Sequence, residues 1–202
     1  MRSLKREAVL HAAVESFNRN GYTSTSLDDV AIALNVTKPT IYHYFSSKDE
    51  VLFECVKLGL ESIQKALKSA EESDLNGRER LCALMFDYAK VMTEDFGMCV
   101  ARTPEHELSE TSRNRFRALK REVDDAVRAV VEHGMQDGSI PPGNSRMITF
   151  TLTGALNWIG HWFDPAGEMT PDSVAKGAVD VLINGIAPGR VHVASGGDKP
   201  DE

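Results

Sequence analysis

SLDDVAIALNVTKPTIYHYF, residues 26–45, is the stretch on which the fold turns. Ser26 stands just before an apolar-periodic run, with Asp29 three places on, a capping-box variant that opens a short helix reaching Leu34. Leu27, Val30, Ala31 and Leu34 recur at helical spacing and form its inward side. Asn35-Val36 follows. A tight turn between helices needs one residue with positive φ, and Asn reaches that region at modest cost. Thr37 can then cap a further helix, and Pro39 falls in its first turn, where a missing N–H removes no bond. Ile41 and Phe45 point back to the core, leaving Lys38, Thr40, Tyr42, His43 and Tyr44 over the other faces. Two short helices joined by roughly three or four turn residues make a helix-turn-helix.

A short exposed helix bearing Lys, Thr, Tyr and His suits the major groove of DNA, where side chains reach base edges and hydroxyls reach phosphates. An ordinary helical hairpin with a polar face satisfies the periodicity equally well; the interleaved aromatics and the caps on both sides favour DNA. Upstream, Ala8, Val9, Ala12, Ala13 and Phe17 form a stripe on a helix from about Leu4 to Asn20, which stops at Asn20-Gly21. Charge permits the same reading. The 202 residues carry a net charge of −7, yet residues 1–48 hold six Lys/Arg against four Asp/Glu, while the remainder holds 17 against 26. A basic head on an acidic body is what a DNA-binding protein of this size would show.

From Arg6 to Leu52 the order of helix, NGY, TSTSLDDVAIAL, NV and TKPTIYHYFSSKDEVL resembles the N-terminal signature of TetR-family transcriptional repressors, over about a quarter of the chain. By motif position, the resemblance implies that Ser26 is the hydroxyl that meets a phosphate at the start of the second helix. It implies that Thr37, Lys38 and Thr40 read bases and phosphates at the start of the recognition helix, and that Tyr42 bonds a backbone phosphate. His43 becomes a variable groove-facing position and Lys48 a further phosphate contact. Asn35 departs from the usual Gly and leaves the turn feasible.

Beyond Lys48 the periodicity predicts a long helix to about Ser73, a fifth from Arg78 to about Phe96, and a short sixth near Val100 to Leu108. A seventh spans about Thr111 to Asp137, an eighth Ser145 to Phe163, and a ninth Pro171 to about Ile186. The expected protein is all-α, of nine helices as in TetR, with a head at 1–48, a ligand-binding and dimerisation body at 49–187 and a flexible tail at 188–202. The eighth segment is apolar all round its middle and must be buried on more than one face. A second copy of the chain is the natural cover, the last two helices of each forming a four-helix bundle. Leu152, Leu156, Ile159, Trp162 and Val181 are the expected homodimer contacts, and the TetR resemblance implies the same interface.

Met85, Tyr88, Met92 and Phe96 lie on one stripe of the fifth helix, with Phe116 inward on the seventh, and these could line an adaptable apolar cavity as well as a plain core. The segment ALNWIGHWFDPAGEMTPDSVAKGAVDVLINGI is similar to the C-terminal segment of TetR-family members that sense acyl-CoA thioesters. That similarity implies an acyl-CoA effector met by Trp158, His161 and Arg102. His161 stands where the subgroup often has Arg, and Arg113, Arg115, Arg117 and Arg121 supply further cations. A lipophilic drug-like or aromatic effector, or a protein partner in place of any ligand, are the competing expectations.

Enzyme chemistry finds little support. The chain has no Gly-rich phosphate loop, no HExxH and no GxSxG, and His106 within PEHEL reads as surface loop. Cys55, Cys82 and Cys99 are scattered without metal-ligand spacing, so neither a metal nor a cofactor is expected. No stretch reaches the roughly 18 apolar residues of a membrane span, and a cytoplasmic location is the expectation.

Overall fold

The computed structural model describes residues 2–186, and among these the chain is all-α with nine helices and no strand. The head comprises α1 (Arg2–Asn20), α2 (Leu27–Ala33) and α3 (Lys38–Tyr42). The body comprises α4 (Lys48–Glu71), α5 (Gly77–Val91), α6 (Asp95–Arg102), α7 (Glu110–Gln136), α8 (Ser145–Trp162) and α9 (Pro171–Asn184), with a 3₁₀ turn at Glu105–Glu107. The expected tail at 188–202 lies outside the described residues.

Side-chain caps set most of the helix starts. Ser47, Ser109, Asn144 and Thr170 each accept a backbone N–H three residues on, and Asn76 with Glu79 forms a full capping box on α5. These caps satisfy donors that the helices cannot bond internally.

The sixth helix differs from expectation at both ends, closing at Arg102 rather than near Leu108. The fifth helix ends at Val91 rather than near Phe96, and the sixth starts at Asp95 rather than near Val100. Gly97 explains the break: a Cβ there would overlap the Val91 carbonyl oxygen, so the chain can fold back against the end of α5 only where a side chain is missing. The Thr93 hydroxyl donates to the Lys90 carbonyl at 2.7 Å and satisfies one acceptor of the ended helix.

The long α4 is the axis of the molecule, packed against α1, α5, α6 and α7. Gly59 permits a close approach of α6, since its Cβ would overlap the Phe96 carbonyl oxygen. Around it one apolar core runs from Leu10 and Val14 through Leu52 and Ile63 to Leu84, Phe116 and Leu156, all fully buried. Head and body therefore share a core.

Candidate nucleic-acid interface and effector region

The helix-turn-helix is built as its sequence reads. Ser26 and Asp29 bond reciprocally, Ser26 Oγ accepting from the Asp29 N–H at 3.2 Å and Asp29 Oδ2 accepting from the Ser26 N–H at 2.7 Å. Asn35 takes φ +52°, the one non-glycine residue with positive φ among those described. Ile41 and Phe45 are buried, which turns Lys38, Tyr42 and His43 outward; Tyr42 is 47% exposed. Thr37 occupies the cap position of α3 but makes no capping bond. Its hydroxyl lies 3.0 Å from that of Thr40 instead.

The two cations expected to meet DNA differ. Lys38 is about half exposed and its Nζ lies 2.7 Å from Asp28 Oδ2; that hydrogen bond and charge hold the ammonium above its usual range. Lys48 sits 4.0 Å over the ring of Tyr22, and partial burial pulls its ammonium down against the opposing fields of Glu107 and Asp29.

Below the reading helix a set of polar contacts ties the head and the first turn of α4 to the rest of the body. Asp49, in the first turn of α4, accepts from the Ser109 N–H at 2.7 Å and from the Ser109 and Ser112 hydroxyls at 2.9 and 2.6 Å. Burial works against its charged form, but the bonds from Ser112 and Ser109 together outweigh that and hold the carboxyl below its ordinary value. The Thr23 hydroxyl donates to Glu107 at 2.9 Å. Arg102 at the end of α6 donates to the Asn18 carbonyl in α1 and to the Gly160 carbonyl in α8, while Asn18 Nδ2 donates to the Asp95 carbonyl. Sequence reasoning missed Asp28, Asp49 and Glu107 in these roles. Ser109 alone had a readable signal, as a capping serine before a long periodic run.

The expected effector residues separate into two places. Met85, Tyr88, Met92 and Phe116 are buried in the core, where the Tyr88 hydroxyl donates to Asn157 Oδ1 at 2.8 Å and burial pushes the phenol well above its usual range. Phe96 is half buried, with its ring against His11 of α1. Arg102 and His161 instead line one surface cavity of about 600 Å³ with Arg19, Asp95, Trp162 and Asp164. Trp158 is 62% exposed and stacks near His161 at 4.9 Å, so it stands apart from the buried methionines. The apolar rings expected to share one cavity do not do so.

The expected dimer contacts also need correction. Leu152, Leu156 and Ile159 are 7%, 2% and 2% exposed within one protomer, because their side of α8 packs on α6 and α7. Buried side chains cannot meet a partner's surface. The open face of α8 carries Met147, Phe150, Trp158 and Trp162, all at least 43% exposed, and Val181 of α9 is 50% exposed. Trp162 and Val181 thus stand outward, while Leu152, Leu156 and Ile159 face the protomer's own core.

Comparison with known proteins agrees with this architecture. The family described as bacterial regulatory proteins, tetR family, matches residues 9–55, and the tetracyclin repressor-like C-terminal domain matches residues 74–186. The transcriptional repressor KstR2 of Rhodococcus jostii (strain RHA1) is 24% identical over 189 residues, covering 92% of this chain and 93% of that protein. Among solved structures, the TetR-family regulator PfmR from Thermus thermophilus is 29% identical with a TM-score of 0.81, covering 89% of this chain and 98% of that one. AibR in complex with isovaleryl coenzyme A and operator DNA is 27% identical with a TM-score of 0.77, covering 88% and 97%. With the second of the two family models alone spanning more than half its length, the chain belongs to the TetR family of bacterial transcriptional regulators, DNA-binding proteins rather than enzymes.

Proposed function

We propose that the protein is a ligand-responsive repressor whose head, residues 1–48, binds a near-palindromic operator as a homodimer and is released when a hydrophobic effector enters the body, residues 49–187. The observation that carries the reading is α3, whose apolar side is sunk at Ile41 while Lys38, Tyr42 and His43 face out. Ser26, Thr37, Thr40 and Lys48 supply hydroxyls and charge around it. Two such helices must meet major grooves about one duplex turn apart, roughly 34–36 Å. The outward stripe of Met147, Phe150, Trp158 and Trp162 on α8, and the exposed Val181 on α9, offer apolar surface suited to a second copy.

An acyl-CoA thioester is the effector we favour. Support comes from the likeness to AibR, solved with isovaleryl coenzyme A, and from Arg102 and His161 sharing a cavity wall. Arg102 also bonds backbone of both α1 and α8, so a ligand that recruits its guanidinium would loosen head from body. The test is a titration of purified protein on DNA upstream of its own gene, with acyl-CoAs of several chain lengths and the matching free acids. Release by a thioester but not by its acid is expected. Binding that no thioester disturbs would turn attention to lipophilic drug-like or aromatic effectors, or to a protein partner. An absence of DNA binding would sink the whole reading.

A further inference from the structure

Lys38 is the only Lys or Arg between Arg19 and Lys48, so the whole reading unit owns one cation. Its two acids are Asp28 and Asp29. Asp29 is committed to the Ser26 cap, accepting from both the backbone N–H and the hydroxyl at 2.7 Å. Asp28 is free of that duty and reaches across the turn, ten residues along the chain, to hold Lys38 at 2.7 Å. Both side chains are about half exposed, 48% for Lys38 and 53% for Asp28, so the pair stands on the surface rather than supporting the core. Tyr42, one helical turn beyond Lys38, is close enough to feel its charge, which puts the pair beside the expected phosphate-contacting tyrosine.

Phosphate attraction is the sequence-independent part of DNA binding, and it grows with each unpaired cation offered. A lysine already neutralised by a carboxylate offers little of it. A phosphate must displace a hydrogen bond at 2.7 Å to reach this lysine, and it does so against the repulsion of Asp28 itself. A guanine edge carries no net charge for Asp28 to repel, and its O6 and N7 together form a directed acceptor pair in the major groove.

We propose that Asp28 is a specificity-determining residue: it withholds Lys38 from phosphates and releases it to a guanine edge, so that the head gains sequence discrimination at the expense of general DNA affinity. The proposal rests on the DNA-binding reading above. Asp28 touches no base in this scheme and acts through Lys38, as a positioning residue.

The experiment selects duplexes from a random pool with the wild-type protein, then measures salt-dependent binding to the selected duplex and to an unrelated one. Wild type, Asp28→Asn, Lys38→Met and the double variant are compared, with circular dichroism and thermal melting to establish that each is folded. Asp28→Asn should raise affinity for the unrelated duplex about three- to tenfold at low salt and steepen its salt slope by about 0.9, one phosphate's worth. Affinity for the selected duplex should rise less, so the ratio between the two falls. In the Lys38→Met background the same substitution should raise affinity for both duplexes alike, through loss of Asp28's own repulsion, and leave their ratio unchanged. Selection with Lys38→Met should also lose enrichment of one guanine per half-site. An unchanged ratio in the single variant, or an equal fall in the ratio with Lys38 absent, would overturn the proposal and show Asp28 to be part of the general field. Failure of the wild-type protein to enrich any duplex would instead overturn the reading beneath it.

Discussion

Between residues 26 and 45 the polar side chains bond to near neighbours in the chain: Ser26 to Asp29, Thr37 to Thr40, and Lys38 to Asp28. The seam beneath is held the other way. Asp49 meets Ser109 and Ser112, Thr23 meets Glu107, Arg6 meets Glu54, and Arg102 meets Asn18, with partners 48 to 84 residues apart. Local bonds fix the shape of the reading unit once its two helices form. Distant bonds fix where that unit sits, and they exist only when the body has folded around α4. Shape and placement are therefore separable quantities, and substitutions should move one without the other.

The strongest break is expected where α6 packs on α4, just behind the contacts of α6 with α1. Gly59→Ala puts a methyl group against the backbone of Phe96 and the side chain of Val100, neither of which can yield without shifting α6. Thermal or denaturant unfolding should register a loss of about 3 kcal/mol, and DNA affinity should fall with it because α6 carries the contacts to α1. A change under a few tenths would mean that α6 slides freely on α4.

Asp49→Ala removes three hydrogen bonds to the start of α7 and should cost about 1.5–3 kcal/mol. The same residue predicts a pH dependence. Its carboxyl lies below the ordinary value of about 3.9, so its contribution is fully present above that pH and is lost as pH falls through the lower folded value. Asp49→Asn should flatten the stability curve below about pH 4, and a curve that keeps its wild-type slope there would assign acid sensitivity to other carboxylates.

Within the reading unit the effects should be smaller and more selective. Ser26→Ala removes one side of the capping box and should lower stability by about 0.5–2 kcal/mol, with α2 fraying first in hydrogen exchange. Tyr42→Phe should leave the melting temperature unchanged and weaken binding to all duplexes by about 0.5–1.5 kcal/mol through loss of one phosphate bond. If Tyr42→Phe altered stability while sparing affinity, the division between shape and placement would have to be redrawn.

The same division explains what the sequence disclosed. The Ser26 cap, the Asn35 turn and the inward Ile41 and Phe45 were legible because each depends on residues within a turn or two of itself. The break between α5 and α6 was not, since the Met92 and Phe96 spacing continues the α5 stripe and only the contact of Gly97 with Val91 shows why the helix must end. The phase of α8 was hidden for a related reason. A helix apolar on every side gives no clue to which leucines face α6 and α7, so Leu152, Leu156 and Ile159 read as dimer contacts while Phe150 stands outward. Partners such as Asp49 and Ser109 were out of reach altogether, because nothing in either neighbourhood records the other.

The chain has two tryptophans, and both stand on the open face of α8, at 62% and 43% exposure. Ultraviolet emission excited at the red edge therefore originates almost wholly from that one face. Anything that covers it should shift the spectrum to shorter wavelength and protect it from a soluble quencher, with no label attached. A dilution series followed by fluorescence would then report the occupancy of the stripe directly, while the head, whose only strong chromophores are tyrosines, stays dark in the same measurement.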